Sequence, residues 1–167
     1  DVDDPPTNIE ISASSISESQ GMTLSGTSTG YVIGTLSTTD DNSSSFIYQV
    51  AQVSGTDYAA FRVNATTGQL SMISQPDFET KSSYSVTITS TDTSGKSYSK
   101  NFSINITDSN DAPIITSSSA SAALEDAAFS YTFSATDVDA NDAITYSAPV
   151  LPSWMSFDTT TGVLSGT

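Results

Sequence analysis

The chain has 167 residues with 19 acidic and 4 basic side chains, a net charge of −15, and neither histidine nor cysteine. This charge excludes nucleic acid and anionic membrane surfaces as partners, because both require patches of Lys and Arg. The chain lacks the His and Cys residues that nucleophilic triads and zinc sites use, so we expect no enzyme. No apolar run approaches the ~20 residues that span a bilayer, so we expect no membrane insertion.

Short alternating runs of apolar and polar residues, separated by turn residues, predict a β-sandwich. The clearest run is Ser83–Thr91, in which Tyr84, Val86 and Ile88 alternate with Ser and Thr. No segment shows a sustained helical period, so the predicted class is all-β. The predicted strands are Ile9–Ser14, Tyr31–Ser37, Phe46–Val53, Tyr58–Val63, Gln69–Ile73, Ser83–Thr91 and Tyr98–Thr107.

Two local patterns occur twice in the chain. The acidic, proline-ended phrase at 1–6 returns at 108–113, and the hairpin sequence at 64–68 returns at 158–162, each hairpin ending in Thr-Gly. A pattern repeated at domain length indicates tandem domains, here β-sandwiches. The predicted divisions are 1–6 as the end of a preceding junction, 7–107 as one repeat, 108–113 as an acidic linker, and 114–167 as the first part of a second repeat.

The second repeat has no counterpart of the two long strands Ser83–Thr91 and Tyr98–Thr107. Half a sandwich exposes an apolar sheet face and unpaired strand edges, which soluble proteins avoid. We therefore expect further residues after Thr167 in the natural protein. If these residues are missing, we expect the half-repeat to pair with another chain or to be poorly ordered.

Acidic residues recur in the loops that the sandwich topology gathers at one end of the first repeat. Glu18, Asp77 and Glu79 follow odd-numbered predicted strands, and the last strand leaves at the same end into 108–111. Asp137 and Asp139 are expected to face this junction from the second repeat. Each like-charge pair costs ~1–4 kcal/mol at ~4 Å, so such a cluster predicts a bound cation. A set of oxygen ligands dominated by carboxylates favours Ca²⁺.

These motifs resemble those of bacterial cadherin-like tandem repeats found in large surface adhesins. The resemblance implies tandem Greek-key β-sandwiches of the Ig-like or cadherin-like kind, the second one incomplete in this chain, with 108–113 as a calcium-binding linker. The residues that carry the resemblance are Glu18, the Asp-Phe-Glu of 77–79, the Asp-Ser-Asn-Asp of 108–111 and the Asp-Val-Asp of 137–139. The hairpin at 61–70 is similar to the central hairpin of that family. From Leu151 to Thr167 the second repeat is similar to the dystroglycan-type cadherin-like, or Ig-like, variant.

The resemblance implies two groups of calcium ligands. For the central junction they are Glu18, Asp77, Glu79, Asp108, Asn110, Asp111, Asp137 and Asp139. For the downstream half of an N-terminal junction they are Asp1, Asp3, Asp4, Asp40, Asp41 and Asp92. In the second group Asp40-Asp41 replaces the Asp-x-Asp of the family and loses the spacer residue, which implies fewer or weaker ions there.

The function that the resemblance implies is mechanical. Calcium would stiffen an extender segment of a bacterial cell-surface adhesin, which is extracellular and mediates cell adhesion or biofilm attachment, with neighbouring repeats of the same chain as partners. The alternative is a carbohydrate-binding module, with a polysaccharide or cell-surface receptor as partner. A flat line of exposed aromatic residues would favour that alternative, and the candidates are Trp154, Tyr31, Tyr58 and Tyr98.

Overall fold

All regular elements longer than a single turn are β-strands in the computed structural model, which describes residues 4–25, 28–119 and 122–167. The chain divides into two units, Asp1–Ser109 (unit 1) and Asn110–Thr167 (unit 2). The predicted all-β class, with cadherin-like and Ig-like architecture, is confirmed. Each unit is described separately below.

Unit 1 is a sandwich of two sheets. The strands of the first sheet are β1 Asn8–Ile11, β3 Thr23–Ser25, β4 Ser28–Thr39, β6 Phe61–Val63 and β7 Gln69–Met72. Those of the second are β2 Ser15–Ser17, β5 Ile47–Val50, β8 Ser83–Thr91 and β9 Ser97–Thr107. The first sheet has the order β1-β4-β7-β6, with β3 beside β4, and all its pairs are antiparallel. The second sheet has the order β2-β9-β8-β5, in which β2 runs parallel to β9.

The core of unit 1 lies between the two sheets and follows directly from the alternation of residues along the strands. Ile9 and Leu70 from the first sheet, and Val86, Ile88 and Ile104 from the second, are fully buried. Their Ser, Thr and Asn neighbours on β8 and β9 face outward. The two strands with the clearest alternation therefore supply a large part of the core.

Two predicted strands are wrong in kind, and one observed strand was not predicted. The run Ile9–Ser14 is not one strand, because β1 ends at Ile11 and the chain then crosses to the second sheet, where β2 begins at Ser15. The seryl Oγ of Ser12 accepts a hydrogen bond from Thr35 N at 2.9 Å at this crossover. The run Tyr58–Val63 begins as a single 3₁₀ turn, Tyr58–Ala60, and only its end forms β6. The short strand β3 was not predicted.

Unit 2 contains two smaller sheets. Strands β10 (Ile114–Ile115) and β12 (Ala135–Thr136) pair with each other. Strands β11 (Phe129–Thr132), β14 (Val163–Gly166) and β13 (Met155–Asp158) form an antiparallel sheet in that order.

The repeated hairpin has the same geometry in both units. Gly68 has φ of +69° and Gly162 has φ of +68°, a region that glycine enters without steric strain. Gly68 N donates to Asn64 O, and Gly162 N donates to Asp158 O, both at 2.9 Å. A side chain packs against each turn, Tyr48 at Gly68 and Tyr146 at Gly162.

The interior face of unit 2 is open. A cavity of about 530 Å³ is lined by Phe133, Tyr146, Phe157 and Leu164, among other residues. Ile115 is 68% exposed beside it. In unit 1 the equivalent side of the hairpin is buried, since Leu70, the counterpart of Leu164, is 0% exposed.

An exposed ion pair in unit 1 supports a pH prediction. Asp57 accepts hydrogen bonds from Lys81 Nζ and, at 2.8 Å, from Ser85 N. The bond from Lys81 first, and then that from Ser85, holds the pKa of Asp57 below its ordinary value. A lowered folded-state pKa contributes stability that is present above the unfolded pKa of about 4 and is lost as the pH falls through the folded value.

We therefore expect Asp57→Asn to destabilise unit 1 at pH 7 and to have little effect at about pH 2. Urea denaturation of both proteins, followed by circular dichroism at the two pH values, measures this difference. An equal loss of stability at both pH values would show that the effect comes from packing and not from the charge of Asp57.

Candidate metal centre

Glu18 is a buried carboxylate at one end of unit 1, with 6% of its surface exposed. It follows β2 directly, where its backbone N donates to Thr107 O at 3.3 Å. Its Oε2 accepts a hydrogen bond from Phe78 N at 2.6 Å, and its Oε1 accepts one from Ser109 N at 2.5 Å. Glu18 therefore joins the loop after β7 to the segment that follows β9.

Two further carboxylates lie beside Glu18. One carboxylate oxygen from each of Glu18, Glu79 and Asp108 lies within 4.8 Å of the others. Glu79 and Asp108 are exposed, while Glu18 is buried. The three residues come from the loop after β2, the loop after β7 and the end of β9, so the topology of the sandwich brings them together. We call this group the Glu18 cluster.

The donor chemistry of the Glu18 cluster fits a calcium ion. Ca²⁺ binds oxygen ligands at about 2.3–2.6 Å, so two ligands of one ion can lie up to about 5 Å apart. Three carboxylates this close repel one another in the absence of a cation.

Asp77 uses its carboxylate in a local turn. Its Oδ1 accepts from Thr80 N and its Oδ2 from Thr80 Oγ1, both at 2.8 Å. These bonds, together with one from Glu79 N, hold the pKa of Asp77 below its ordinary value. Asp77 therefore shapes the loop that presents Glu79, and it is not a member of the Glu18 cluster.

Hydrogen bonds from backbone N–H groups connect the predicted ligands of unit 2. Asp111 N donates to Asp139 Oδ2 at 2.7 Å, and Asp139 N donates to Asp137 Oδ1 at 3.1 Å. Asn110 Nδ2 donates to Asp111 O at 2.6 Å. Asp111, Asp137 and Asp139 thus form a contiguous acidic group at the start of unit 2.

Asp40 and Asp92, both predicted for the N-terminal half-junction, each accept local backbone hydrogen bonds. Asp40 Oδ1 accepts from Asn42 N and Ser43 N at 2.8 Å, and Asp92 Oδ1 accepts from Ser94 N at 2.8 Å and Lys96 N at 2.9 Å. The Oδ2 atoms of both residues are buried and have no hydrogen-bond partner within the described part of the chain. A buried acceptor without a partner is costly, and a cation would satisfy it.

Burial raises the pKa of Asp92, which is 5% exposed, but the hydrogen bonds from Lys96, Ser94 and Gly95 outweigh this effect and lower the pKa below its ordinary value. Asp92 is therefore an anion at neutral pH, as a calcium ligand must be. Asp4 and Asp41, also predicted for this half-junction, are exposed. Asp1 and Asp3 lie outside the described residues.

The aromatic candidates for glycan stacking are scattered. In unit 1, Tyr31 is buried and Tyr98 packs against the core, while Tyr58 is 37% exposed. In unit 2, Trp154 is 43% exposed and packs against Gly166, and its ring meets that of Phe129 edge to face at 6.4 Å. Among the residues that the structure describes, neither unit presents the flat line of aromatic rings that stacking against a polysaccharide requires.

Sequence reasoning did not find the backbone donors Phe78 N and Ser109 N that hold Glu18. Their contribution does not depend on side-chain type, and each lies far from Glu18 along the chain. In the sequence, the only indication of these two donors is that Phe78 and Ser109 lie within the acidic motifs 77–79 and 108–111.

We compared the chain with known protein families and solved structures. The family described as "Putative Ig domain" matches residues 112–167, which covers unit 2 almost completely but only about a third of the chain. No curated protein matches the chain. No helix among the described residues is long and apolar enough to cross a membrane.

Solved cadherin structures resemble the whole chain. Human protocadherin-24 EC1-2 has a TM-score of 0.61 and 18% identity, over 96% of this chain and 77% of that one. Protocadherin gamma B2 extracellular cadherin domains 3-6 has a TM-score of 0.54 and 18% identity, over 97% of this chain and 38% of that one. Mouse cadherin-23 EC22-24 has a TM-score of 0.51 and 22% identity, over 97% of this chain and 53% of that one. The chain therefore has a cadherin-like, Ig-like fold and spans only part of the length of these structures.

Proposed function

We propose that the chain is a calcium-stiffened extender segment of a bacterial cell-surface adhesin, with a structural and not a catalytic role. The observation that carries the proposal is the Glu18 cluster, in which three carboxylates from separate loops of unit 1 meet at its C-terminal end. The acidic group of unit 2 begins in the next residues of the chain. Its members Asp111, Asp137 and Asp139, together with Asn110, are proposed as further calcium ligands.

Calcium bound there would offset the repulsion among the carboxylates and stabilise the folded ends of the units. A ligand that binds only the folded form adds stability as RT ln(1 + [L]/Kd). Extracellular calcium modules typically bind with a Kd on the order of 10⁻⁴–10⁻³ M, so millimolar extracellular calcium would fill the sites. The chain would then hold an adhesive domain away from the cell, for cell adhesion or biofilm attachment. Neighbouring repeats of the same chain would be its partners.

Asp40 and Asp92, with their unpartnered buried oxygens, are proposed as the remaining part of a similar site at the other end of unit 1. Asp4 and Asp41, together with Asp1 and Asp3, would belong to that site. A carbohydrate-binding function has no comparable support, because the aromatic residues are scattered.

The test is calcium titration calorimetry of the chain, with small-angle scattering in calcium and in chelator. We expect saturable binding and a longer, stiffer particle with calcium. The variant Glu79→Gln with Asp108→Asn should weaken the central site by about tenfold or more, equivalent to about 1.4 kcal/mol. The matched control is Asp126→Asn, which removes an exposed carboxylate of unit 2 that is not among the proposed ligands.

Three results would contradict the proposal: no calcium binding at millimolar concentration, superimposable scattering profiles with and without calcium, or the same loss of affinity in the Asp126→Asn control. The first would leave the carboxylates as surface charge only. The second would show that bound calcium does not stiffen the chain.

A further inference from the structure

A lysine, an asparagine and a glutamate meet where the two sheets of unit 1 come together at their margin. Lys100 on β9 reaches β1, where its Nζ donates to Asn8 Oδ1 at 2.9 Å and to Ile9 O at 2.8 Å. Asn8 Nδ2 in turn donates to Glu10 Oε1 at 3.3 Å. The primary amine of one strand is therefore in contact with the carboxamide of another, and a carboxylate is in contact with the nitrogen of that carboxamide.

The surroundings of this group are partly apolar. Lys100 and Asn8 are half-buried, and Ile9 between Asn8 and Glu10 is fully buried. The Phe102 ring lies 5.5 Å from Lys100 Nζ. Backbone pairing of β1 with β4 and of β9 with β8 fixes the positions of the two strands. The amine and the amide are thus held together by the fold, which raises the effective concentration of one reactive group at the other.

We propose that Lys100 and Asn8 form an intramolecular isopeptide bond, with Glu10 assisting. Lys100 Nζ, after losing a proton, adds to Asn8 Cγ, and the bond between Cγ and Nδ2 breaks. Two protons leave Nζ and two arrive at Nδ2, so a lysine ammonium and a carboxamide give a secondary amide and an ammonium ion. No oxidant or other reactant is needed. Glu10, in contact with Nδ2, is the carboxylate that passes a proton to the departing nitrogen.

The bond would tie β1, in the first sheet, to β9, in the second. It would close a loop between positions 92 residues apart in a chain that has no cysteine for a disulfide. A cross-link of that span restricts the unfolded chain, as a disulfide does. Under tension along the chain it would stop β1 from separating from the sandwich. This inference is independent of calcium binding and holds or fails separately from the proposed function.

The first measurement is the intact mass of the purified, denatured chain. We expect a mass about 17 Da below that of the sequence, since one ammonia is lost. Tandem mass spectrometry of a protease digest should show a branched peptide that joins the segments around Asn8 and Lys100. A wild-type chain at its full sequence mass, after incubation at neutral and mildly alkaline pH, would overturn the proposal.

Three variants separate the reaction from a purely structural contact. Lys100→Arg keeps a cation that can donate to Asn8 and Ile9 but cannot form the amide, so it should retain the full mass. Glu10→Gln should also retain the full mass or react far more slowly, and an unchanged rate would overturn the role of Glu10. Lys81→Arg alters another lysine that contacts a side-chain oxygen, and it should show the same 17 Da loss as the wild-type chain, about one ammonia. A branched peptide that contains Lys81 in place of Lys100 would overturn the assignment of the bond.

Discussion

Replacing Glu18 by Ala is expected to lower the stability of unit 1 by about 3 kcal/mol, even without calcium. The side chain is buried and accepts hydrogen bonds from Phe78 N and Ser109 N. Its removal leaves two backbone donors without their partner, and each such loss costs about 1–3 kcal/mol. Urea denaturation in the presence of a chelator, followed by circular dichroism, isolates this effect from any contribution of bound metal.

The matched control for this prediction is Glu125→Ala. Glu125 holds the corresponding sequence position in the second repeat but is exposed, so its loss should change stability by less than about 0.5 kcal/mol. The intermediate variant Glu18→Gln keeps one acceptor oxygen but directs an amide NH₂ at the second backbone donor, and it should fall between the two. If Glu18→Ala matches the wild-type stability in chelator, Glu18 does not hold the two loops together.

The second large effect is expected in the core of the sandwich, at the hairpin strand that the two units share. Leu70 on β7 is fully buried, and its replacement by Ala should cost about 3 kcal/mol of unit 1 stability. Leu164, its counterpart in unit 2, lines an open cavity and is only half-buried. Its replacement by Ala should cost less than about 1 kcal/mol, because less apolar surface returns to water.

Each unit has a suitable probe for this comparison. Trp154 is the only tryptophan of the chain, so its fluorescence reports unit 2. Far-ultraviolet circular dichroism is dominated by the longer strands of unit 1. Equal losses at Leu70 and Leu164 would mean that the interior of unit 2 is as well covered in solution as that of unit 1.

Local patterns were sufficient for much of the fold. Strand β8 has the bounds that its alternation predicts, and β9 differs by one residue at its start. The Thr-Gly hairpins were also predictable, because a tight turn needs a residue at positive φ and Gly68 and Gly162 provide it. In these segments the side-chain pattern and the turn chemistry are properties of a few neighbouring residues.

The change of sheet between β1 and β2 was not predictable in this way. The alternation in Ile9–Ser14 suits one continuous strand, and only the position of β4 and β9 on opposite sheets decides where the chain divides. The same holds for the 3₁₀ turn at Tyr58–Ala60, whose residues also suit a strand. Tertiary contacts outweigh the weak intrinsic preference of such short segments.

For the candidate site, the sequence by itself determined which residues are acidic, their order, and the oxygen-rich chemistry that favours calcium. Only the tertiary structure decided that Glu18, Glu79 and Asp108 form one cluster while Asp77 closes a local turn. It also decided that Lys100 meets Asn8, a contact between residues 92 positions apart. The physical reason is that ligand sets and cross-links depend on distances across the sandwich. Those distances are fixed by how the sheets pack, and no local pattern in the chain encodes them.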